Sequence, residues 1–324
     1  MREQASPEQR LFLGQIRPDD LARVGDSPLV RPWDGHPSAT WPYGPGGPPH
    51  AGIWGTTGGG KSSLLRMLLR GLVRRPGKRA ITIIDAEGAG EFTMFRRMPG
   101  VAQVISMNPA ADRLLPEGQP TSVERAARAM VDHHDLAVER NLERDRAAEA
   151  WEEYLVDPVH HRPPKYTPPA EMFLVIDGWA TFCYNVNRYL RAKVDPIEAA
   201  TQYGRNGRKT DAHLVLADQV SYAKRSKDDA GLPSELKKQL GIRIAAVGLL
   251  GMTATEASMA FDEPDAGARV PKVPGGCLLK VGAEMVPFVV PPWDNATDPN
   301  AKLTVEQRRA AYRLLPAPVP EAVA

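Results

Sequence analysis

Short apolar runs separated by amphipathic stretches constrain this chain more than any other feature. His50–Trp54, Arg79–Ile84, Val101–Met107, Met172–Ile176, His213–Ala217 and Arg243–Leu249 are rich in Ile, Val and Leu and bounded by Gly, Pro or Asp. Between them lie helical patterns. Lys61–Arg74 sets Leu64, Leu65, Leu68, Leu69 and Leu72 on one face, and Thr121–Tyr154 opens with a Thr121/Glu124 capping box. A further helix is predicted around Asp195–Arg205, after the proline-rich break DPVHHRPPKYTPP. Strands that are apolar on both faces and alternate with helices predict an α/β fold, a mostly parallel sheet with helices on both sides.

The chain has 324 residues and a formal net charge of +2, so a nucleic-acid surface would have to be a local patch. Cys183 and Cys277 are far apart and suit no metal spacing, as expected of a reduced, cytoplasmic protein. The longest apolar run, Ile244–Met252, is about half a membrane span, and the N-terminus MREQASPEQR lacks the apolar segment of a signal peptide. Any membrane association is expected through a partner.

The stretch GIWGTTGGGKSSLL sits between the first apolar run and the leucine-faced helix. Gly55-Thr56-Thr57-Gly58-Gly59-Gly60-Lys61-Ser62 has the GxxxxGK[ST] spelling of a P-loop. Glycines let backbone N–H groups turn inward around a triphosphate, and the helix directs its positive end at the phosphates. Lys61 is predicted to reach the β- and γ-phosphates, Ser62 to ligate Mg²⁺, and Ser63 to complete the ATP-binding loop.

Such a loop needs a carboxylate at the end of a neighbouring strand, and Phe173-Leu174-Val175-Ile176-Asp177 supplies Asp177 as the Mg²⁺ candidate. Position 178, where ATPases usually add a glutamate to activate water, is Gly178. Asp85, Glu87 or Asp218 could take that role, or hydrolysis is slow and the chain is a nucleotide-dependent switch. Asp85 reads equally well as a cap of its strand end.

The segment YGRNGRKTDAHLVLADQ (Tyr203–Gln219) resembles the sensor-strand region of the FtsK/SpoIIIE translocases, within the wider FtsK–HerA class. RIAAVGLLGMTATEASMAFDEPDAGARVPKVPGGCLLK resembles that family's run from an Arg-Ile-Ala strand to a Gly-rich hairpin. GAEMVPFVVPPW matches its closing strand, and ITIIDAEG its second strand. MFLVIDGW is similar to the degenerate ATPase modules of EccC, the FtsK-like motor of type VII secretion, in which Asp-Gly can replace Asp-Glu. A chain with one motor unit also resembles the small FtsK-like transfer proteins of actinobacterial plasmids, integrative elements and phages.

The resemblance implies a RecA-like P-loop domain over 49–293. Composition makes residues 1–48, rich in Pro, Gly and charge, an N-terminal arm, and the domain is expected to be followed by a C-terminal helix and tail (294–324). The resemblance also implies a homo-oligomeric, hexameric ring with ATP between subunits, moving double-stranded DNA. Gln219 would sense the γ-phosphate, and an arginine before the sensor strand, Arg205 or Arg208 with Arg243 behind them, would reach the neighbour's γ-phosphate. Each of these arginines is also readable as a solvated loop charge. Tyr222–Lys227 could meet DNA phosphates in the ring channel or be an ordinary solvated loop. His133/His134 and His160/His161 lack a completing metal-ligand spacing. Trp54 and Trp179 read as sheet-packing residues, and Trp33, Trp41 and Tyr43 as weak contributors to an adenine pocket. The rival reading is a nucleotide-binding assembly or recognition module of a secretion or transfer machine. A small-molecule kinase is a third possibility, for which no lid is recognisable.

Overall fold

Each apolar run becomes a strand of one sheet. The computed structural model describes residues 10–33, 35–44, 47–56, 58–75, 77–167, 169–190, 195–219, 232–246, 256, 260–290 and 304–306. β4 (Ala51–Trp54), β5 (Arg79–Asp85), β6 (Val101–Ser106), β7 (Glu171–Asp177), β8 (Ala212–Asp218) and β9 (Ile242–Ala246) run parallel, in the order β9-β4-β8-β7-β5-β6. β8 is thus inserted between β4, which carries the glycine loop, and β7, which carries Asp177.

The helices cover both faces, as the alternation predicts. On one side α2 (Lys61–Val73) packs its leucines against Ile81, Ile83, Phe173 and Val175. On the other, after the single turn α3 (Pro109–Asp112), α4 (Ser122–Val156), α5 (Trp179–Leu190) and α6 (Pro196–Gly207) meet Ile84, Leu174, Ile176 and Leu216. Successive strand residues point to opposite faces, so a run such as Phe173–Ile176 feeds both cores alternately. The capping box at α4 forms: Thr121 Oγ1 accepts from Glu124 N at 3.1 Å, and Glu124 Oε2 accepts from Thr121 N at 2.8 Å.

The sheet is wider than expected. Residues 10–42, read from composition as an arm, instead form β1 (Arg10–Gln15), β2 (Val30–Trp33) and β3 (His36–Pro42), with α1 (Pro18–Val24) between β1 and β2. With the hairpin β10 (Gly276–Val281) and β11 (Glu284–Val289) they make an antiparallel flank, giving, among the described residues, eleven strands in the order β2-β3-β1-β11-β10-β9-β4-β8-β7-β5-β6. The physical reason lies in an alternation that the prolines mask. Leu11 and Leu13 on β1, with Ala39 and Trp41 on β3, are buried against α2. Pro32 and Pro37 stand opposite one another in the outermost pair β2–β3, where a missing N–H is tolerated. Trp41 is fully buried and its Nε1 donates to Pro48 O at 2.9 Å. The expected C-terminal helix and tail fall almost wholly outside the described residues. Among the described residues, no helix is long and apolar enough to cross a membrane.

Candidate nucleotide site

β4 ends at Trp54, and the chain turns through the glycine loop into α2. Gly58 and Gly60 adopt φ of +76° and +94°, a left-handed conformation that side chains resist. Gly55 is required for space: a Cβ there would lie 1.9 Å from the carbonyl oxygen of Ala246, the last residue of β9. A Cβ on Gly59 would lie 2.5 Å from the same oxygen. The loop therefore lies directly on the end of β9, and only glycine permits that approach.

Lys61, the first residue of α2, folds back so that Nζ donates to Gly55 O at 2.8 Å and Thr56 O at 3.2 Å. Burial lowers its pKa, opposed by the carboxylates of Asp177, Asp218, Glu87 and Glu91. Ser62 Oγ donates to Asp177 Oδ2 at 3.1 Å, joining the start of α2 to the end of β7 across β8. The Thr56 hydroxyl is buried with no hydrogen-bond partner among the described residues. Ser63 follows in the first turn of α2. Thr57 lies outside the described residues.

Asp177 is only 5% exposed. Burial pushes its carboxyl up to about 7, helped by Glu91 and Asp85 and opposed by the Ser62 hydrogen bond and Lys61. A carboxylate so poorly compensated, with a hydroxyl oxygen 3.1 Å away at a helix N-terminus, is a donor set that fits Mg²⁺.

The other carboxylates separate by their partners. Asp85 caps its strand end: Oδ1 accepts from Gly88 N at 3.0 Å, and Oδ2 accepts from Gly90 N at 2.8 Å and Ser106 Oγ at 3.0 Å. Asp218 holds Ala180 N at 2.6 Å with one oxygen and Gln219 N at 2.6 Å with the other, and so caps α5. Gln219 follows β8 beside the loop, since Asp218 O accepts from Gly55 N at 3.2 Å. Glu87 is exposed and lies over Gly178, its Oε1 accepting from Thr181 Oγ1 at 3.2 Å. That juxtaposition was beyond the sequence, in which the two residues are far apart.

The arginine candidates lie elsewhere. Arg205 is in the last turn of α6 and Arg208 caps it, before β8 begins at Ala212. This is the edge of the sheet opposite the loop, so neither completes the site within one chain. Arg205 lies 3.7 Å from Glu235, and Arg243 pairs with Asp262. Tyr222–Lys227 lies outside the described residues. Trp54 and Trp179 are buried in the sheet-facing core, as read from sequence. Trp41 and Tyr43 are also core residues, and Trp33 stacks on Phe12 with centroids 5.5 Å apart, so these aromatics belong to the flank's packing.

Fold and loop together define an α/β domain similar to the P-loop ATPases of secretion and conjugation. Residues 48–160 match the family described as helicase HerA, central domain. The ESX secretion system protein EccC of Thermomonospora curvata is 26% identical over 242 residues, covering 73% of this chain and 16% of EccC. The cytoplasmic domain of the T. curvata type VII secretion ATPase EccC superposes with a TM-score of 0.62 at 22% identity, covering 99% of this chain and 32% of that one. ATPases 2 and 3 of EssC from Geobacillus thermodenitrificans give 0.57 at 15% identity, covering 96% and 51%. The pCW3 conjugation coupling protein TcpA, in its monomer form with ATPγS, gives 0.53 at 19% identity, covering 89% and 68%. The chain thus spans well under half of the EccC proteins it matches.

Proposed function

We propose that the chain binds ATP with Mg²⁺ in the loop Gly55–Ser63 and works as a motor that moves double-stranded DNA through a homo-oligomeric, hexameric ring. The observation that carries the nucleotide reading is the convergence of Lys61, Ser62 and Asp177 at the end of β4, with Ser62 Oγ 3.1 Å from Asp177. Lys61 holds the β- and γ-phosphates, the loop N–H groups cradle them, and Ser62 and Asp177 hold the cation. Mg²⁺ bound there supplies charge neutralisation on the β- and γ-oxygens. Gln219, beside the loop, senses the γ-phosphate, and Arg205 or Arg208 serves the neighbouring subunit's site. The position of these arginines at the opposite edge of the sheet suits a contribution in trans. DNA as the cargo is what the resemblance of Tyr203–Gln219 to the sensor-strand region of the FtsK/SpoIIIE translocases implies.

A second reading follows from Gly178 and the likeness to EccC: a nucleotide-dependent recognition module docked on a membrane-bound secretion machine. Steady-state ATPase activity with and without linear double-stranded DNA, over a range of salt, separates them. DNA-stimulated turnover that weakens steeply with salt supports the motor. Nucleotide-stabilised oligomers indifferent to DNA support the recognition module.

A further inference from the structure

We propose that Glu87 is the catalytic carboxylate that accepts the proton of the attacking water, in place of the side chain that Gly178 lacks. The inference rests on the nucleotide reading above.

The geometry makes the two positions one site. Asp85 and Asp177 are register partners in the parallel pair β5–β7, so the chain leaves both strands side by side at the edge where the glycine loop sits. Two residues past Asp85, the Glu87 side chain crosses to β7. A Cβ built on Gly178 would lie 2.8 Å from Glu87 Oε1, 3.0 Å from its Cγ and 3.2 Å from its Cδ. Glu87 thus already occupies the volume into which a side chain at 178 would grow. Gly178 also has φ +80°, a conformation that permits glycine and resists glutamate. A carboxylate carried on the β5 side thus stands beside the end of β7.

Competing carboxylates are committed elsewhere. Asp85 and Asp218 each have both oxygens engaged by hydrogen bonds. Glu91 Oε2 accepts from Arg66 at 2.7 Å. Glu87 uses Oε1 toward Thr181, at 3.2 Å, and its Oε2 takes no hydrogen bond from the described residues. Its charge is felt by Lys61 and by Asp218, which puts it on the loop side of the sheet edge. Thr181, in the first turn of α5, is the positioning residue.

In the step, the water oxygen bonds to the γ-phosphorus while one water proton passes to a Glu87 oxygen. The bond from that phosphorus to the β–γ bridging oxygen breaks, its electron pair leaving on ADP. Glu87 then returns the proton to solvent, so that ATP and water give ADP, phosphate and a proton.

The test compares wild type, Glu87→Gln and Lys61→Ala by single-turnover ATP hydrolysis and by ATP affinity from isothermal titration. Gln keeps the shape and the hydrogen bond from Thr181 but cannot take the proton. The hydrolysis rate is expected to fall about 10²- to 10⁴-fold with ATP affinity within about twofold of wild type. Glu87→Asp is expected to retain more activity than Glu87→Gln. Hydrolysis by Glu87→Gln at the wild-type rate overturns the assignment of Glu87 alone, as does a wild type that binds ATP and does not turn it over. Failure of wild type to bind ATP overturns the nucleotide reading itself, and this proposal with it.

Discussion

Asp177→Asn should make the nucleotide-free protein more stable at neutral pH while removing its hold on the cation. Asp177 is almost fully buried, and its carboxyl is pushed from 3.8 to about 7, chiefly by desolvation. Because the folded pKa is raised, the folded state keeps its proton over the range in which the unfolded state has lost it. Stability from this group is therefore full below about pH 4 and declines as pH rises toward 7. At 1.36 kcal/mol per pH unit, a shift of about three units amounts to about 4 kcal/mol.

Asn is neutral and isosteric and can still accept the Ser62 hydrogen bond, so it does not carry that cost. The stability difference between variant and wild type should grow from under about 1 kcal/mol near pH 4 to about 4 kcal/mol above pH 7. Buried histidines run the other way. Burial lowers His50 to about 3 and His133 and His213 to about 4, so they lose stability as pH falls below 6.5. They are common to both proteins and cancel in the difference. Urea unfolding followed by tryptophan fluorescence, at pH 4.5 and pH 8 without nucleotide or Mg²⁺, measures it. A variant no more stable than wild type at pH 8, or a difference that does not change with pH, refutes desolvation as the main cost of keeping Asp177 charged in the fold.

Gly55→Ala places a Cβ 1.9 Å from Ala246 O, so ATP affinity should fall at least about tenfold and stability by about 3 kcal/mol. Gly35→Ala, at φ +77° with open space around it, should cost only about 1–2 kcal/mol and leave ATP affinity unchanged in the same titration. Trp41→Ala should destabilise by about 3–5 kcal/mol in urea unfolding, because the residue is fully buried in the core shared by β1, β3 and α2. Thr121→Ala should cost about 1 kcal/mol, and hydrogen exchange should show it as faster opening of the first turn of α4.

What was legible in the sequence had local causes. The strands β4, β5, β7 and β8 carry continuous apolar runs, α2 carries a leucine stripe, and the glycine loop is spelled out by its own steric needs. The start of α4 was readable because both halves of its capping box lie within four residues. By contrast, α5 passed unseen, since the carboxylate that caps it, Asp218, arrives from β8, a strand later in the chain. The antiparallel flank was hidden because Pro32 and Pro37 read as loop, whereas facing each other in the edge pair β2–β3 they cost little. Gly178 was recognisable as a departure from the ATPase pattern. The carboxylate lying over it was not, because the contact between Glu87 and position 178 exists only once β5 and β7 are paired in register.

Every role proposed for this chain depends on ATP being held by the loop at the end of β4. Isothermal titration of ATP in the presence of Mg²⁺ into wild type and Lys61→Ala, with thermal unfolding of both, tests it most directly. Saturable binding by wild type that Lys61→Ala loses while keeping its unfolding temperature is the predicted result. Equal ATP binding by the two proteins would contradict the site.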